Sequence, residues 1–583
     1  MLHTLTRSLR ENKGPALVTV LLSALEVVFE IVIPLFMSNL IDFGIEGGSM
    51  AAVWKFGAFL LLLAAFQLAT GVLAARIAAR ASVGFAANLR EDMYDNVQTF
   101  AFSNIDKFST ASIVTRLTTD TTNVQNAFQM LMRMAIRAPV MLIFSMIVSF
   151  RISRDISMTF LIILPILALA LFFIIRSVFP VFSRVFRTYD ELNNVVQENV
   201  RGIRVVKSFN QERHEIGKFG AISERIYKDF SKGERLITLN APLMQFCIYT
   251  CMIVISWLGA KAIIASGNDP ALGLTTGNLT ALITYTMQIL SSLMMLSMVF
   301  AMLTISLSSA RRIAEVLEER SDIPQPEQPV MTVRNGAVDF DHVSFVYASK
   351  ADKKVLDDID LHIRSGETIG IIGGTGASKS SLVQLIPRLY DVTGGKLTLG
   401  GVDVRDYDLD TLRGAVAMVL QKNELFSGTI AENLRWGNEN ATDEQLRHAC
   451  KLACADEFIS AMPDGYDTHI EQGGSNVSGG QKQRLCIARA LLKKPKVLIL
   501  DDSTSAVDTR TDAQIQQALS TYIPDTTKII IAQRISSVQN ADRIVVLDDG
   551  RINAVGSHDE LLRSCEIYRE VYESQQKGGE DDA

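Results

Sequence analysis

This chain has little excess of charge of either sign, and few cysteines. Of its 583 residues, 57 are lysine or arginine and 63 are aspartate or glutamate, which leaves a formal net charge of -6. So small a charge for the length argues against a nucleic-acid partner. The cysteines include two pairs spaced four apart, Cys247 with Cys251 and Cys450 with Cys454, without a histidine or second pair at metal-binding spacing. We therefore expect them to pack within helices rather than to form disulfides or bind a metal.

Apolar side chains, in contrast, are abundant. Hydrophobic residues make up 48% of the sequence, and the mean hydropathy is +0.21. In the first half they form six runs of roughly bilayer length, namely 16–37, 53–75, 135–150, 157–178, 244–264 and 279–305. These runs predict an α-helical transmembrane domain over 1–320, with no cleavable signal peptide before it.

The connections between the runs are of two kinds. Those after the first, third and fifth runs are short, whereas 82–134 and 180–243 are long, charged and typical of helices. Long helices should therefore project from one side of the membrane only. Basic residues such as Arg80, Arg90 and Arg184 lie on that side, and the positive-inside rule makes it cytoplasmic.

Two groups of membrane residues are candidates for a transport path. Glu26 and Glu30 lie four apart in the first run and share a helical face; intramembrane carboxylates are costly and usually face a cavity or a partner. We interpret them as a polar wall of a substrate path suited to cations, and the alternative is a structural pair near the cavity mouth. Met287, Met294 and Met298 share a face of the sixth run, where they suit either a promiscuous apolar surface or ordinary helix packing.

The composition changes after a proline-containing linker at 321–332. Strand and helix patterns alternate over 333–575, which predicts an α/β domain, and 576–583 is an acidic tail that we expect to be disordered. The apolar run 368–372 leads into a small-residue loop, a Lys-Ser pair and a helix, the order typical of a P-loop. The loop and helix start comprise Gly373, Gly374, Thr375, Gly376, Ala377, Ser378, Lys379, Ser380 and Ser381.

This P-loop predicts a nucleotide and Mg²⁺ as ligands. Small residues let backbone N–H groups converge on phosphate oxygens at a helix start. Lys379 would reach the β- and γ-phosphates, and the Ser380 hydroxyl would hold Mg²⁺. Gln421 follows an apolar strand, where its amide can ligate Mg²⁺ and sense the γ-phosphate. Asp501 follows the apolar run 497–500, the place for an acid that organises Mg²⁺.

Further candidates lie on either side of these positions. Tyr347 ends a strand pair, where it could stack on a base or be an ordinary edge-strand tyrosine. A second glycine turn precedes a basic helix and forms another anion cradle, comprising Val477, Ser478, Gly479, Gly480 and Gln481. Residues 505–508 follow Asp501 and end in Asp508, which we place among the nucleotide-binding residues.

Lys379, Asp501 and the glycine turn at 477–481 together resemble the motifs of an ATP-binding cassette (ABC) transporter half of the exporter class. Such a half has six membrane helices fused to one nucleotide-binding domain, and the resemblance covers nearly the whole chain. It implies that two halves pair head to tail, with each ATP between the P-loop of one half and the signature, here 477–481, of the other. It also implies that the loop tips near 108–112 and 206–212 are coupling helices that dock on the nucleotide-binding domains.

Three residues depart from the family pattern at one nucleotide site. Asp502 stands where the family has the glutamate that activates water. Its side chain is one methylene shorter, so its carboxylate lies about 1–1.5 Å further back than that of a glutamate. A misplacement of about 1 Å can cost on the order of a hundredfold in rate. Gln533 stands at the switch histidine and cannot carry a positive charge. Ser378 replaces the glycine before the P-loop lysine. The signature at 477–481 is intact.

We therefore predict an asymmetric heterodimer. This chain would bind ATP at a hydrolysis-poor site and lend its signature to a partner half that carries the glutamate and histidine; the alternative is a homodimer with two slow sites. The resemblance implies an ABC-type ATPase that exports amphipathic drugs or lipids across an inner or single cell membrane, with its nucleotide-binding domain in the cytoplasm. The alternative functions are a peptide exporter, an importer with the same fold, and an ATP-gated regulator or channel.

Overall fold

Contacts divide the chain into two compact units. The computed structural model describes residues 1–269, 273–347, 354–503 and 506–580. The first unit comprises Met1–Gln98 with Thr110–Glu319, and the second comprises Thr99–Ser109 with Arg320–Ala583. The described part of the first unit is helical, and the second combines sheets with helices. The predicted fold class, a six-helix membrane domain followed by an α/β nucleotide-binding domain, is confirmed.

The first unit is built from long helices. Its α-helices are α1 (Leu2–Arg7), α2 (Lys13–Asn39), α3 (Met50–Gln98), α5 (Thr110–Thr115), α6 (Thr121–Ile152), α7 (Arg154–Arg201), α8 (Ile203–Ser208), α9 (Glu212–Thr238), α10 (Asn240–Ser266) and α11 (Thr276–Glu318). Among the residues that the structure describes, six stretches are long and apolar enough to cross a membrane: Arg10–Glu46, Met50–Gln98, Thr110–Ile152, Arg154–Arg201, Glu212–Ser266 and Thr276–Phe300. Each contains most or all of one predicted apolar run.

The short connections and the long ones have different physical origins. Gly267 adopts a left-handed conformation (φ 64°) that ends α10, and the Thr275 hydroxyl accepts a hydrogen bond from the Asn278 amide (3.2 Å) to begin α11. The long connections are instead continuations of membrane helices. The 49 residues of α3 rise about 70 Å at 1.5 Å per residue, more than twice the thickness of a hydrocarbon core of about 30 Å.

The membrane helices pack in two groups. Helices α2, α3, α6 and α11 pack against one another, and α7 packs against α9 and α10. Phe160, Leu167, Ile255 and Leu282 are fully buried where α7, α10 and α11 meet. Cys251 is fully buried in the same cluster, and Cys450 is fully buried in the core of the second unit. Cys247, Cys251 and Cys450 lie inside helices as predicted, but Cys454 does not, because α15 ends at Leu452 and Cys454 adopts a left-handed conformation (φ 52°) in the turn that follows.

The second unit contains three sheets. Its strands are β1 (Val338–Phe345), β2 (Leu356–Ile363), β3 (Thr368–Gly373), β4 (Gly394–Leu399), β5 (Val402–Asp403), β6 (Val416–Val419), β7 (Gly428–Thr429), β8 (His469–Ile470), β9 (Val497–Asp501), β10 (Thr527–Ile531), β11 (Arg543–Asp548) and β12 (Arg551–Gly556). Strands β2-β1-β4-β5 form an antiparallel sheet, and β7 pairs with β8. The six-stranded sheet has the order β12-β11-β3-β10-β9-β6, in which β12 alone is antiparallel to its neighbour.

Helices surround these sheets. They are α4 (Phe102–Phe108), α12 (Lys379–Gln384), α13 (Leu409–Ala415), α14 (Ile430–Arg435), α15 (Asp443–Leu452), α16 (Asp456–Ser460), α17 (Gly479–Leu492), α18 (Thr509–Tyr522), α19 (His558–Ser564) and α20 (Glu566–Glu580). The parallel strands are almost wholly apolar and buried, as expected for a sheet covered on both faces.

Helix α11 lies before the predicted linker and helix α20 lies at the other end of the second unit, and the predicted domain limits stay a prediction. Helix α11 ends at Glu318, and the predicted linker 321–332 has no helix; its one bridge pairs Val330 with Tyr407. At the other end, α20 extends to Glu580 and covers 576–580, which we expected to be disordered, because a helical pattern that packs on the core at Val571 and Tyr572 continues into this stretch. Residues 581–583 lie outside the described residues.

Candidate nucleotide-binding site

Four adjacent strands bring the predicted nucleotide residues together. The P-loop follows β3, and Gln533 follows β10. Asp501 is the last residue of β9, Asp502 comes directly after it, and Gln421 follows β6. The sheet order places these strands side by side as β3-β10-β9-β6, all parallel. Their carboxyl ends therefore share one edge, the place where open α/β sheets bind ligands.

The P-loop is a tight turn between β3 and α12. Gly376 (φ 85°) and Ser378 (φ 66°) both adopt left-handed backbone conformations, which suit glycine and cost other residues roughly 1–2 kcal/mol. A Cβ at Gly373 would collide with the backbone oxygen of Leu547, so the start of the loop packs closely against the backbone of β11. The ammonium of Lys379 donates hydrogen bonds to the Gly373 oxygen (2.7 Å) and the Gly374 oxygen (2.9 Å). This lysine lies over the loop, and burial lowers its pKa.

A hydroxyl and a carboxylate meet where Mg²⁺ was predicted. The Ser380 hydroxyl donates a hydrogen bond to Oδ1 of Asp501 at 3.1 Å. Burial, and secondarily the Asp502 charge, raises the pKa of Asp501, while Ser380 and Lys379 oppose the shift. Oxygen ligands of this kind are those that Mg²⁺ takes, together with water and phosphate oxygens. The pair therefore fits a nucleotide-bound Mg²⁺ ion.

Asp502 is the centre of a small polar network. Its backbone is left-handed (φ 48°), and the Gln533 amide nitrogen donates to its Oδ2 at 2.8 Å. Gln421 also forms a side-chain hydrogen bond with Asp502. Burial raises the pKa of Asp502, although these two amides and the Lys379 charge oppose it. The positions predicted for water activation, switching and γ-phosphate sensing thus lie together.

Tyr347 lies beside the P-loop helix. Its hydroxyl is 2.7 Å from the Ser381 hydroxyl, and its ring meets the Tyr390 ring edge-on at 5.1 Å. Tyr390 in turn donates a hydrogen bond to Asp106 of α4 at 2.9 Å. The residue is 44% exposed. Base stacking by Tyr347 stays a prediction.

The first loop tip is part of the nucleotide unit. The segment Thr99–Ser109 groups with Arg320–Ala583, and Asn104 donates to the Arg320 oxygen at 3.0 Å. The helix in this segment is α4, so the predicted tip at 108–112 falls only partly in the second unit, and the docking of a coupling helix there stays a prediction. The second tip, around α8, belongs to the first unit and exposes Val205 and Phe209.

The signature residues lie at the start of α17. Ser478 caps this helix reciprocally with Gln481: the Ser478 hydroxyl accepts from the Gln481 amide (3.3 Å), and the Gln481 side chain accepts from the Ser478 amide (2.9 Å). The described hydrogen bonds of residues 477–481 do not reach the P-loop. Asp508 caps α18 by accepting from the Thr511 amide at 2.9 Å, which lowers its pKa. The preceding Ser505 lies outside the described residues, and a nucleotide role for Asp508 stays a prediction.

Known proteins match this arrangement along the whole chain. The family model described as ABC transporter transmembrane region matches residues 16–294, and the one described as ABC transporter matches residues 356–505. The ABC transporter ATP-binding protein YfiB of Bacillus subtilis (strain 168) is 35% identical over 558 residues, 96% of this chain and 96% of its own length. This chain belongs to the ABC transporter family. It is thus an ATP-using half-transporter with a multi-pass membrane domain.

Other matches extend over similar lengths. The ABC transporter ATP-binding protein MT1311 of Mycobacterium tuberculosis (strain CDC 1551 / Oshkosh) is 33% identical over 580 residues, 99% of this chain and 98% of its own. The solved structure of a bacterial Atm1-family ABC exporter with ATP bound superposes with a TM-score of 0.82 at 24% identity, covering 97% of this chain and 99% of that one. The half-transporter therefore has the exporter fold.

The membrane carboxylates of this ABC half-transporter have a partner that sequence reasoning missed. Arg137 of α6 forms ion pairs with both, through Nη1 to Oε1 of Glu26 (3.0 Å) and Nη2 to Oε2 of Glu30 (2.7 Å). Arg137 lies inside the third predicted apolar run, where a lone charge is itself a signal that could have revealed it. One arginine faces two carboxylates, so the ion pairs compensate half of their charge within the unit.

The predicted methionine face is open in the half-transporter. Met287, Met294 and Met298 are 39%, 48% and 64% exposed, whereas Ile289 on the opposite side of α11 is fully buried. Packing within this chain therefore does not account for the face. A role in the transport path stays a prediction, as it does for Glu26 and Glu30.

We expect Ser378→Gly to stabilise the nucleotide-binding domain. Glycine relieves the left-handed strain at φ 66°, and its larger unfolded-state entropy offsets part of the gain, leaving about 0.5–1 kcal/mol. Thermal unfolding of the full chain measures the change. Thr375→Gly is the matched control, since Thr375 in the same loop lacks a positive φ and should gain nothing. Equal effects of the two substitutions would contradict the strain.

We expect Arg137→Ala to destabilise the membrane domain by about 2–4 kcal/mol, because it leaves two partly buried carboxylates without their counter-charge. Arg133→Ala, one helical turn away, is the control. Adding Glu26→Gln and Glu30→Gln to the Arg137→Ala variant should recover much of the loss by removing the stranded charges. Melting temperatures in detergent report each step, and a loss no greater than that of Arg133→Ala would refute the ion-pair role.

Proposed function

We propose that this ABC half-transporter is the degenerate-site subunit of a heterodimeric exporter. It binds ATP and Mg²⁺ at its own P-loop but hydrolyses that ATP slowly. Its signature, residues 477–481, completes a competent site on a partner half that supplies the glutamate and histidine. ATP closes the paired domains, the coupling helices move, and hydrolysis at the partner's site resets the transporter.

The observation that carries this proposal is the meeting of Asp502 and Gln533. Both are departures from the family pattern, and their side chains form a 2.8 Å hydrogen bond to each other. Burial raises the pKa of Asp502, which favours a base, so its deficit lies in reach rather than in basicity. A carboxylate retracted by about 1–1.5 Å leaves an attacking water poorly placed.

Gln533 adds a second deficit of a different kind. A histidine at this position could bring positive charge toward the γ-phosphate, whereas glutamine offers only a neutral amide. That amide already donates to Asp502. Ser378 adds strain beside the phosphates, while Lys379, Ser380 and Asp501 remain suited to holding ATP with Mg²⁺. Binding without efficient turnover follows from this combination.

The transported molecule is an amphipathic drug or lipid moved outward across the cell membrane. The open methionine face of α11 favours apolar, variable substrates. Pairing with Arg137 weakens the interpretation of Glu26 and Glu30 as a wall for cations, since half of their charge is compensated. The nucleotide-binding domain lies in the cytoplasm, on the side of the basic loops.

The second candidate is an ATP-gated regulator or channel that binds nucleotide without pumping. Asp502 and Gln533 favour it, because a slow site can hold a gate in one state for long periods. ATP-dependent accumulation of a substrate against its gradient, in vesicles with the assembled pair, would exclude the gate. Accumulation that never exceeds equilibration would support it and refute the exporter.

ATP turnover of the purified chain in nanodiscs tests the degenerate site. We expect slow hydrolysis by the unaltered chain and an increase of about 10- to 100-fold in the Asp502→Glu/Gln533→His double variant, because the added methylene restores reach and the imidazole restores charge. Adding Lys379→Ala should abolish the gain, which shows that it arises at this P-loop.

Two results would refute the proposal. One is brisk turnover by the unaltered chain without any second subunit, which would favour a homodimer. The other is no more than a twofold gain in the double variant while it still binds ATP, because the departures at Asp502 and Gln533 would then not limit the rate.

A further inference from the structure

The last helix of the chain contacts the segment that carries Gln533. Helix α20 is held to the domain by Tyr568, which is fully buried and whose hydroxyl is 2.7 Å from Nδ1 of His558. Val571 and Tyr572 pack against the hydrophobic core on the same side of the parallel sheet as α17. The helix is thus fixed before it reaches Gln575.

Gln575 makes two hydrogen bonds to the backbone around the switch position. Its Nε2 donates to the Gln533 carbonyl oxygen at 2.7 Å, and its Oε1 accepts from the Ile535 amide at 2.9 Å. One side-chain amide therefore satisfies a backbone C=O and a backbone N–H two residues apart, much as a neighbouring strand would. Two bonds fix both the position and the rotation of the segment, where one would leave it free to turn.

The chain of contacts continues into the nucleotide site. The Gln533 side chain donates to Asp502 at 2.8 Å, and Asp502 also receives a side-chain hydrogen bond from Gln421. The backbone that Gln575 holds is therefore the backbone that aims the Gln533 amide. The adjacent Gln576 differs, because its Nε2 donates to Tyr572 of its own helix at 2.7 Å.

We propose that Gln575 is a positioning residue for the γ-phosphate end of the nucleotide site. It acts through the backbone at Gln533 and Ile535, holds the Gln533 side chain toward Asp502, and makes nucleotide binding depend on the docking of α20. This inference rests on the proposed binding of ATP at this P-loop. It adds the C-terminal helix to the parts of the chain that set discrimination between ATP and ADP.

Hydrogen exchange in the full chain tests the contact itself. Gln575→Ala should speed exchange of the Ile535 amide by about fivefold or more, since its acceptor is removed. Gln576→Ala, the matched control, should leave it unchanged. Gln575→Glu keeps an acceptor for the Ile535 amide but loses the donor to Gln533, so it should preserve most of the protection. Unchanged exchange in Gln575→Ala would overturn the proposal whether or not ATP binds.

Nucleotide affinity tests the positioning role. The assay is displacement of a fluorescent ATP analogue by ATP and by ADP, each with Mg²⁺. Gln575→Ala and Gln575→Glu should each weaken the affinity for ATP about three- to tenfold and the affinity for ADP less than about twofold. The difference arises because only ATP has the phosphate that Gln533 approaches. Gln576→Ala should change neither. A general loss of stability would weaken both nucleotides and lower the melting temperature.

The two measurements separate the possible failures. Faster exchange with an unchanged ATP-to-ADP ratio would overturn the positioning role and leave the proposed function intact. An unaltered chain that binds no ATP would overturn the proposed function and with it the effect on nucleotides, and the exchange data would still decide whether Gln575 holds the segment.

Discussion

The nucleotide site depends on one arrangement, the parallel pairing of β10 between β3 and β9. Register pairs Ile531 with both Ile371 and Asp501, so the three strands end at nearly the same level. The loop that holds phosphate, the acids and the switch residue consequently leave the sheet side by side. Burial of these strands on both faces makes the pairing rigid, because a slip in register would displace an entire apolar layer.

That rigidity explains why small chemical changes at the edge matter. With the backbone fixed, a side chain shortened by one methylene cannot be compensated by a shift of the strand. Asp502 and Gln533 meet each other across the gap between β9 and β10, and Gln421 joins them from beyond β6. In the function that we propose, this site holds phosphate and Mg²⁺ but acts poorly on water, because a short carboxylate and a neutral amide stand at the two positions in question.

The membrane domain shows the same principle of compensation in a different medium. Glu26 and Glu30 would be costly alone in a bilayer, and Arg137 on a neighbouring helix offsets part of that cost by pairing with both. A second link joins the nucleotide site to a loop tip within its own unit: Tyr347 contacts Tyr390, and Tyr390 donates to Asp106 of α4. Two contacts therefore separate Tyr347 from α4, the helix in the first loop tip.

Patterns local in the chain determined the elements of this protein. Run length and hydropathy were enough to place the six membrane stretches, and a strand followed by glycines and Lys379 was enough to place the P-loop. Both signals depend on neighbours in sequence, as does the capping pair of Ser478 and Gln481. Ser378 stood out as a departure, but its left-handed backbone and the resulting strain appear only in three dimensions.

Only the tertiary structure decided which distant residues meet. Arg137 is 107 residues from Glu30, and Gln575 is 42 from Gln533, and no periodicity spans such separations. Many polar groups in the chain could form the same kind of hydrogen bond or ion pair with a given side chain. The packing of helices and strands decides which of these groups lies within reach. The sequence alone therefore determined the elements and their chemistry, while the network around Asp502 and the ion pairs of Arg137 came from strand order and helix contact.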